Sequence, residues 1–164
     1  PFVDGSLKGA LIGMSLNTKP EEIYRSLIEA TACGTRRILE LYEKNGIQIQ
    51  EIICSGGISL KNSLLMQIYA DLLGKRLIVA KNEQAAALGS AVYAALSAGK
   101  SAGGYDSYEE AVKNMCQVEN IVYEPNQKNF NLYTKLYFIY KDFSEMMGKS
   151  NREIMRRLHE LQTE

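Results

Sequence analysis

The residues of this chain best placed to do chemistry lie in the stretch "EIICSGGISLKNSLLMQIYADLLGKRL", residues 51 to 77. A short apolar run ends in Ser55-Gly56-Gly57, and Lys61 and Asn62 follow just before a strongly helical segment. Paired glycines at the end of a strand permit φ > 0, or let another group approach bare backbone. That group is either a packing neighbour or a ligand. Other chemistries find little material. Cys33, Cys54 and Cys116 are widely spaced and form no CxxC pair, so they read as three buried free thiols of a cytoplasmic protein and not as a zinc site or dithiol. His159 is the only histidine and sits on a charged segment, which argues against a Ser-His-Asp triad or a histidine metal cluster within the chain. The carboxylate pairs Glu21-Glu22 and Glu109-Glu110 read as solvated helix surface.

The elements that must position the glycine pair follow from periodicity. Residues 9–16, "GALIGMSL", read as a short buried strand. A helix then starts at "NTKPEE", with Thr18 and Glu21 in a capping-box pattern and Pro20 in the first turn. Ile23, Leu27, Ala30, Gly34, Ile38 and Leu41 put an apolar stripe on one face of it, and Asn45-Gly46 ends it. "IQIQEIIC" is a strand leading into the glycines. Leu64, Leu65, Ile68 and Leu72 mark the next helix, closed by Gly74, and "RLIVA" is a second strand. Asn82 is a candidate N-cap for "EQAAALGSAVYAALSAG", whose alanines and glycines suit close packing on a sheet. Ser107 caps a short helix, and "EPNQ" breaks the pattern.

Phe130, Tyr133, Tyr137, Tyr140 and Met147 then form an aromatic stripe, expected over a helix at 126–147 and read as core. The tail from about residue 150 is a charged helix, running to Glu164, with Ile154, Leu158 and Leu161 as a thin apolar seam that docks on the body or meets a partner. Strands alternating with helices predict an α/β architecture.

The 164 residues, 46% hydrophobic and 23% charged with net charge zero, suit a soluble domain with a real core. Balanced charge gives no footprint for nucleic acid, and no apolar run reaches the roughly 20 residues that span a bilayer. The opening "PFVDGSLKGAL" has neither initiator methionine nor signal-peptide pattern, which suggests a piece of a longer protein.

Three readings of Gly56-Gly57 compete. One is a turn that binds nothing. A standard phosphate loop is the second, and it fails because neither GxxxxGK[ST] nor GxGxxG is present. The third is a different nucleotide site, in which N–H groups near a helix start favour phosphate charge. The order "GALIGMSLNTKPEEIYRSLIEATACGTRRILELYEKNG", "IICSGGISLKNSLLMQIYADLLGKRL", "EQAAALGSAVYAALSAG" resembles the C-terminal half of the FGGY family of carbohydrate kinases. The pattern GG-x4-N-x-LLMQIYAD followed by E-x3-ALG-x-A carries the likeness, which covers nearly the whole chain and fades after about residue 148.

The resemblance implies an actin-like (ribonuclease H-like) ATPase domain over residues 1–120, with a helical extension over 121–164 packing on it. It implies ATP and Mg²⁺ as cofactors, and an N-terminal kinase domain as partner that carries most sugar contacts and the catalytic base. It assigns Gly56 and Gly57 to the α-phosphate and ribose, with a Cβ at Gly57 occupying the nucleotide's place. Asn62 matches a nucleotide-contacting asparagine, and Gly13 falls in a segment near the nucleotide. That segment reads Gly13-Met14-Ser15-Leu16-Asn17-Thr18 and departs from the family's pattern at Ser15 and Asn17. For Asn62 a helix N-cap is the competing role, for Lys61 a solvated surface, for Glu83 the first turn of a helix, and for Asp71 structural hydrogen bonds. No catalytic or metal-ligating residue is assigned to this chain. Two alternatives are left open: the sugar, with the family's xylulose, gluconate and glycerol kinases as other candidates, and a non-catalytic nucleotide-binding or interaction module, with the aromatic stripe as a homo-oligomer interface.

Overall fold

The computed structural model describes residues 4–5, 7–81, 83–116 and 118–162, with residues 118–120 described by backbone alone. Asn82 and Glu164 lie outside the described residues. The helices are α1 (Pro20–Lys44), α2 (Gly57–Lys61), α3 (Ser63–Leu73), α4 (Ala85–Ala98), α5 (Tyr108–Met115), α6 (Gln127–Glu145) and α7 (Arg152–Glu160), and the strands are β1 (Glu51–Cys54), β2 (Arg76–Ala80) and β3 (Val118–Tyr123). They form two compact units, Ile49–Asn126 and Pro1–Gln48 with Gln127–Glu164.

In the unit of residues 49–126 the sheet order is β1-β2-β3. β1 and β2 are parallel, with Ile53 opposite Ile78, and α2 and α3 make the crossover that a parallel pair requires. β3 returns antiparallel to β2, with an irregularity between Ile78 and Ala80. β2 is central, and its Leu77 and Val79 are fully buried. α3 supplies the other half of this core through Met66, Ile68, Ala70, Leu72 and Leu73. Leu64, expected in that stripe, is exposed and Met66 is buried in its stead. Gly74 stops α3 at φ 62, in the left-handed region where glycine carries no Cβ penalty. Asp71 is buried, and its Oδ1 accepts from Gln67 Nε2 at 2.8 Å and from the Asn126 backbone N–H at 2.8 Å. The structural role expected of Asp71 is the observed one.

α4 departs from expectation. Only Val92 is buried in it, and its partner is α5, reached by a tilted Tyr93–Tyr108 ring pair with centroids 6.2 Å apart. Its Ala86, Ala87, Ala91 and Ala94 are exposed, so the close packing on a sheet expected of this helix is not seen among the described residues. Ser107 caps α5 as expected, accepting from the Glu110 N–H at 3.2 Å. Ahead of α5, Gly104 is obligatory, because a Cβ there would come within 1.9 Å of the Ala95 carbonyl oxygen.

In the other unit α1 packs on α6. Ile28, Ala32 and Cys33 are buried from α1, and Tyr133 and Tyr137 from α6. The Arg36 guanidinium lies over the Tyr137 ring at 4.5 Å and the Phe130 ring at 5.2 Å. Arg25 Nη2 donates to the Tyr133 hydroxyl at 2.9 Å, which donates to Glu29 Oε1 at 3.0 Å. Farther along, Arg37 donates to Ser144 Oγ at 2.6 Å and to Glu145 Oε1 at 2.9 Å. The aromatic stripe of α6 is thus a packing face at Tyr133 and Tyr137, as expected.

Other expectations are corrected in this unit. The apolar stripe of α1 is not its buried face: Leu27, Ala30, Ile38 and Leu41 are exposed, because α6 meets the neighbouring face where arginines reach its rings and hydroxyls. The α1 cap falls one residue later than expected, with the Lys19 N–H donating to Glu22 Oε2 at 2.8 Å and Pro20 opening the helix. Residues 9–16 form no strand and are exposed, since among the described residues no strand pairs with them. Of the thiols only Cys33 is fully buried, while Cys54 and Cys116 are half-buried. α6 ends in a single π turn, Met146–Ser150, before α7. In α7 the buried residue is Met155, and the expected seam of Ile154, Leu158 and Leu161 is exposed. Arg152 pairs with Asp4.

Candidate functional site

β1 and β2 run in parallel, so the loops leaving their carboxyl ends lie side by side, the usual position of a ligand site in such sheets. The first loop carries Gly56 and Gly57, the second Glu83 and Gln84. Lys61 Nζ and Glu83 Oε1 stand 3.7 Å apart and tie the two loops together. Both side chains are largely in water, so the pair adds little stability, at most about 1 kcal/mol.

The two glycines differ in what the backbone asks of them. Gly56 has φ 97 and ψ 166, a region open in practice only to glycine. Gly57 is the first residue of α2 and has no positive φ. A Cβ on Gly57 would meet Lys61 Nζ at 3.8 Å, an ordinary contact with the end of a flexible chain, and one on Gly56 would meet nothing within 4 Å. The chain itself therefore requires glycine at 56 and leaves room for a side chain at 57. Bare backbone flanked by open space is what a nucleotide lying against these residues would need. α2 is only five residues long, so any electrostatic help comes from local N–H groups and not from a summed helix dipole. Its first turn is pinned by Ser59, which is buried and donates its hydroxyl to the Gly56 carbonyl at 2.7 Å. No spacing pattern in the sequence singles out Ser59, because a serine three residues past a glycine is unremarkable.

Asn62 does cap a helix: its Oδ1 accepts from the Leu65 N–H at 3.0 Å at the start of α3. That leaves the amide NH₂ as the end able to donate to a ligand. Glu83 precedes α4 by two residues, so its charge serves Lys61 and not the first turn as expected. The Lys61–Glu83 pairing was hidden in the sequence because it joins loops that follow different strands.

Gly13 belongs to the other unit, at φ 81 with open space around it. The turn after it is closed by its own hydroxyls. The Ser15 N–H donates to Thr18 Oγ1 at 2.8 Å, and the Asn17 N–H to Ser15 Oγ at 3.2 Å. Gly13 also borders a cavity of about 570 Å³ lined by residues 7–8 and 10–13, α1, α6, the π turn and Met155. Its walls are largely apolar, with Lys8 and Glu29 the charged members. On its lining the Cys33 thiol is pushed up to about 11, by burial first and then by the nearby Glu29 carboxylate. The Tyr140 hydroxyl is raised by burial and then by Cys33. Both groups therefore stay protonated near neutrality. Among the described residues no three histidine, cysteine, aspartate or glutamate side chains gather as a metal site would. Among them, too, no helix is long and apolar enough to cross a membrane.

Comparison with known proteins places these residues in context. The family model for the FGGY family of carbohydrate kinases, C-terminal domain, matches residues 1–98. A ribulokinase from Bacillus licheniformis is 47% identical over 160 residues, 98% of this chain and 29% of that protein. The ribulokinase of Geobacillus thermodenitrificans is 43% identical over 157 residues, 96% of this chain and 28% of that protein. The chain thus spans under a third of the relatives it matches. Among solved structures, gluconate kinase from Lactobacillus acidophilus superposes with a TM-score of 0.77 at 20% identity, over 92% of this chain and 29% of that one. Plasmodium falciparum glycerol kinase with ADP gives 0.67 at 24% identity, over 83% of this chain and 26% of that one. These two likenesses establish the shared fold. Family model, relatives and fold agree: the chain belongs to the FGGY family of carbohydrate kinases, whose C-terminal domain it represents.

Proposed function

We propose that this chain is the ATP-binding C-terminal part of an L-ribulokinase, which transfers the γ-phosphoryl group of ATP to L-ribulose and releases ADP and L-ribulose 5-phosphate. The observation that carries the proposal is the 47% identity to a ribulokinase across 98% of the chain. In this reading residues 1–120 are the nucleotide-binding part and 121–164 its extension. Gly56 and Gly57 offer bare backbone to the nucleotide, the Asn62 amide donates to it, and Gly13 keeps the neighbouring segment free of side chain. Lys61, held by Glu83, stands at the same loop pair as a phosphate counter-charge. ATP supplies the phosphoryl group, with the sugar hydroxyl oxygen bonding to the γ-phosphorus as the bond to the β-phosphate oxygen breaks. Neither a base to take the hydroxyl proton nor a set of metal ligands is assigned to this chain. The proposal therefore places the base, most sugar contacts and the protein side of Mg²⁺ binding in an N-terminal kinase domain of the same polypeptide. The cytoplasm and arabinose catabolism are the setting that an L-ribulose kinase implies.

The test is coupled ADP release by the full-length parent with L-ribulose, xylulose, gluconate and glycerol. The highest kcat/KM is expected with L-ribulose. Preference for another of these sugars would reassign the substrate, and ATP binding with no turnover on any would favour a non-catalytic module.

A further inference from the structure

Lys61 comes one helical turn after Gly57, at the i+4 position, so the two share a face of α2. Its side chain turns back over that face, and a Cβ on Gly57 would stand 3.8 Å from its Nζ. From the other loop Glu83 reaches the same ammonium, with Oε1 at 3.7 Å. The pair thus forms a strap across the glycine face, with one end on each of the loops that leave the two parallel strands. The strap is loosely held. The Lys61 side chain is 73% exposed and that of Glu83 50%, and 3.7 Å is longer than a hydrogen-bonded ion pair. Water competes for both groups, and parting them costs little.

A group that comes to rest on Gly57 lies within reach of the Lys61 ammonium. A nucleotide brings phosphate charge there and meets a cation that already has a carboxylate for partner. Two anions then contend for one cation. A diphosphate carries more charge and more acceptor oxygens than a carboxylate, so the contest favours the nucleotide without removing the competitor. We infer that Glu83 is the place-holding anion of this site: it neutralises Lys61 in the absence of nucleotide, yields it to the phosphates, and by competing for it lowers nucleotide affinity. The inference rests on the reading of Gly56 and Gly57 as a nucleotide face and deepens it by naming the residue that opposes binding there. Weaker hold on the nucleotide lets product leave sooner, so Glu83 favours the release of ADP after phosphoryl transfer.

The test is calorimetric titration of the full-length parent with ADP at low ionic strength, where surface charges are least screened. Glu83→Gln is expected to tighten ADP by about threefold to fivefold, the scale of an exposed ion pair, and Lys61→Ala to weaken it by about as much. Adenosine has no phosphate and should bind the parent and Glu83→Gln equally, which a merely structural role for Glu83 would not give. Glutamine can still accept from Lys61, so Glu83→Ala is titrated too and should show at least the same gain. With Lys61→Ala already in place, Glu83→Gln should change ADP affinity by less than about twofold. An equal gain in that background would mean that the carboxylate repels phosphate directly, and would overturn the exchange. Weaker ADP binding by Glu83→Gln would overturn it by showing that Glu83 holds Lys61 ready for the phosphate, and unchanged affinity would overturn it by showing an idle pair. The same preparations are assayed for turnover of L-ribulose. Tighter ADP in a parent inactive on L-ribulose upholds the exchange and counts against the kinase reading; turnover with ADP affinity indifferent to Glu83 does the reverse.

Discussion

At the scale of single residues, Gly56 and Gly57 look alike in the sequence and behave differently in the structure. Gly56→Ala forces a Cβ onto φ 97 and is expected to destabilise the protein by about 1–3 kcal/mol, read by urea denaturation. Gly57→Ala lies at ordinary helical backbone with room for its methyl, so stability should change by less than about 0.5 kcal/mol. Its expected effect is on ATP, whose affinity for the full-length parent should fall in a calorimetric titration. Unchanged ATP affinity would make Gly57 a turn residue and nothing more. The motif itself was legible because glycine pairs and the N-x-LLMQIYAD run are local. Which glycine the backbone demands was not, since a φ value depends on how β1 hands over to α2. Cys33 carries a second prediction. Its thiol ionises near 9.0 in an unfolded chain and at about 11 when folded, so the folded state holds the proton more tightly. Stability from this group is complete below pH 9.0 and is lost as pH rises towards 11. The raised hydroxyls of Tyr133 and Tyr140 add to the same loss at higher pH. Thermal unfolding should show a falling midpoint above pH 9.0, and Cys33→Ala should flatten the first part of that fall.

Among elements, periodicity located the helices well and chose their buried faces unevenly. Tyr133 and Tyr137 of α6 are buried as the 3/4 spacing required. Tyr137→Ala should cost about 3–5 kcal/mol, because the ring is fully buried beneath the Arg36 guanidinium, whereas Leu132→Ala on the exposed side should fall within about 0.5 kcal/mol of the parent. Equal stability of the two variants in chemical denaturation would sink this assignment. For α1 the same logic named Leu27, Ala30, Ile38 and Leu41, and the face that meets α6 is another one. Hydrophobic spacing has no means of weighting arginine, yet Arg25, Arg36 and Arg37 make the contacts here through stacking and hydrogen bonds. Residues 9–16 show the other limit: strand composition is a capacity for pairing, and the partner lies beyond the segment itself.

For the whole molecule, the α/β class and the family were both legible, because the likeness extends over most of the chain and is carried by short, ordered motifs. The two-unit organisation was not, since it joins the first 48 residues to the last 38 and no local pattern reports such a pairing. The 164-residue chain alone should release no ADP with L-ribulose and ATP, while the full-length parent turns over. Phosphoryl transfer is mostly positioning, and half of a positioning device positions nothing. Robust turnover by the pure chain would show that the base lies within it.

The π turn at Met146–Ser150 uncouples the tail from α6. It closes with the Asn151 N–H donating to the Met146 carbonyl at 2.7 Å, an i to i−5 bond, and Asn151 at φ −119 and ψ 30 then leaves the helical path before α7 begins. The stripe of Tyr133 and Tyr137 therefore dictates nothing about the face that α7 buries: Met155 lies inside, and Ile154, Leu158 and Leu161 meet water. Met155 should accordingly be slow to oxidise with peroxide while Leu158→Cys alkylates fast, both read by mass spectrometry, and the opposite order would show that the seam is the docked side.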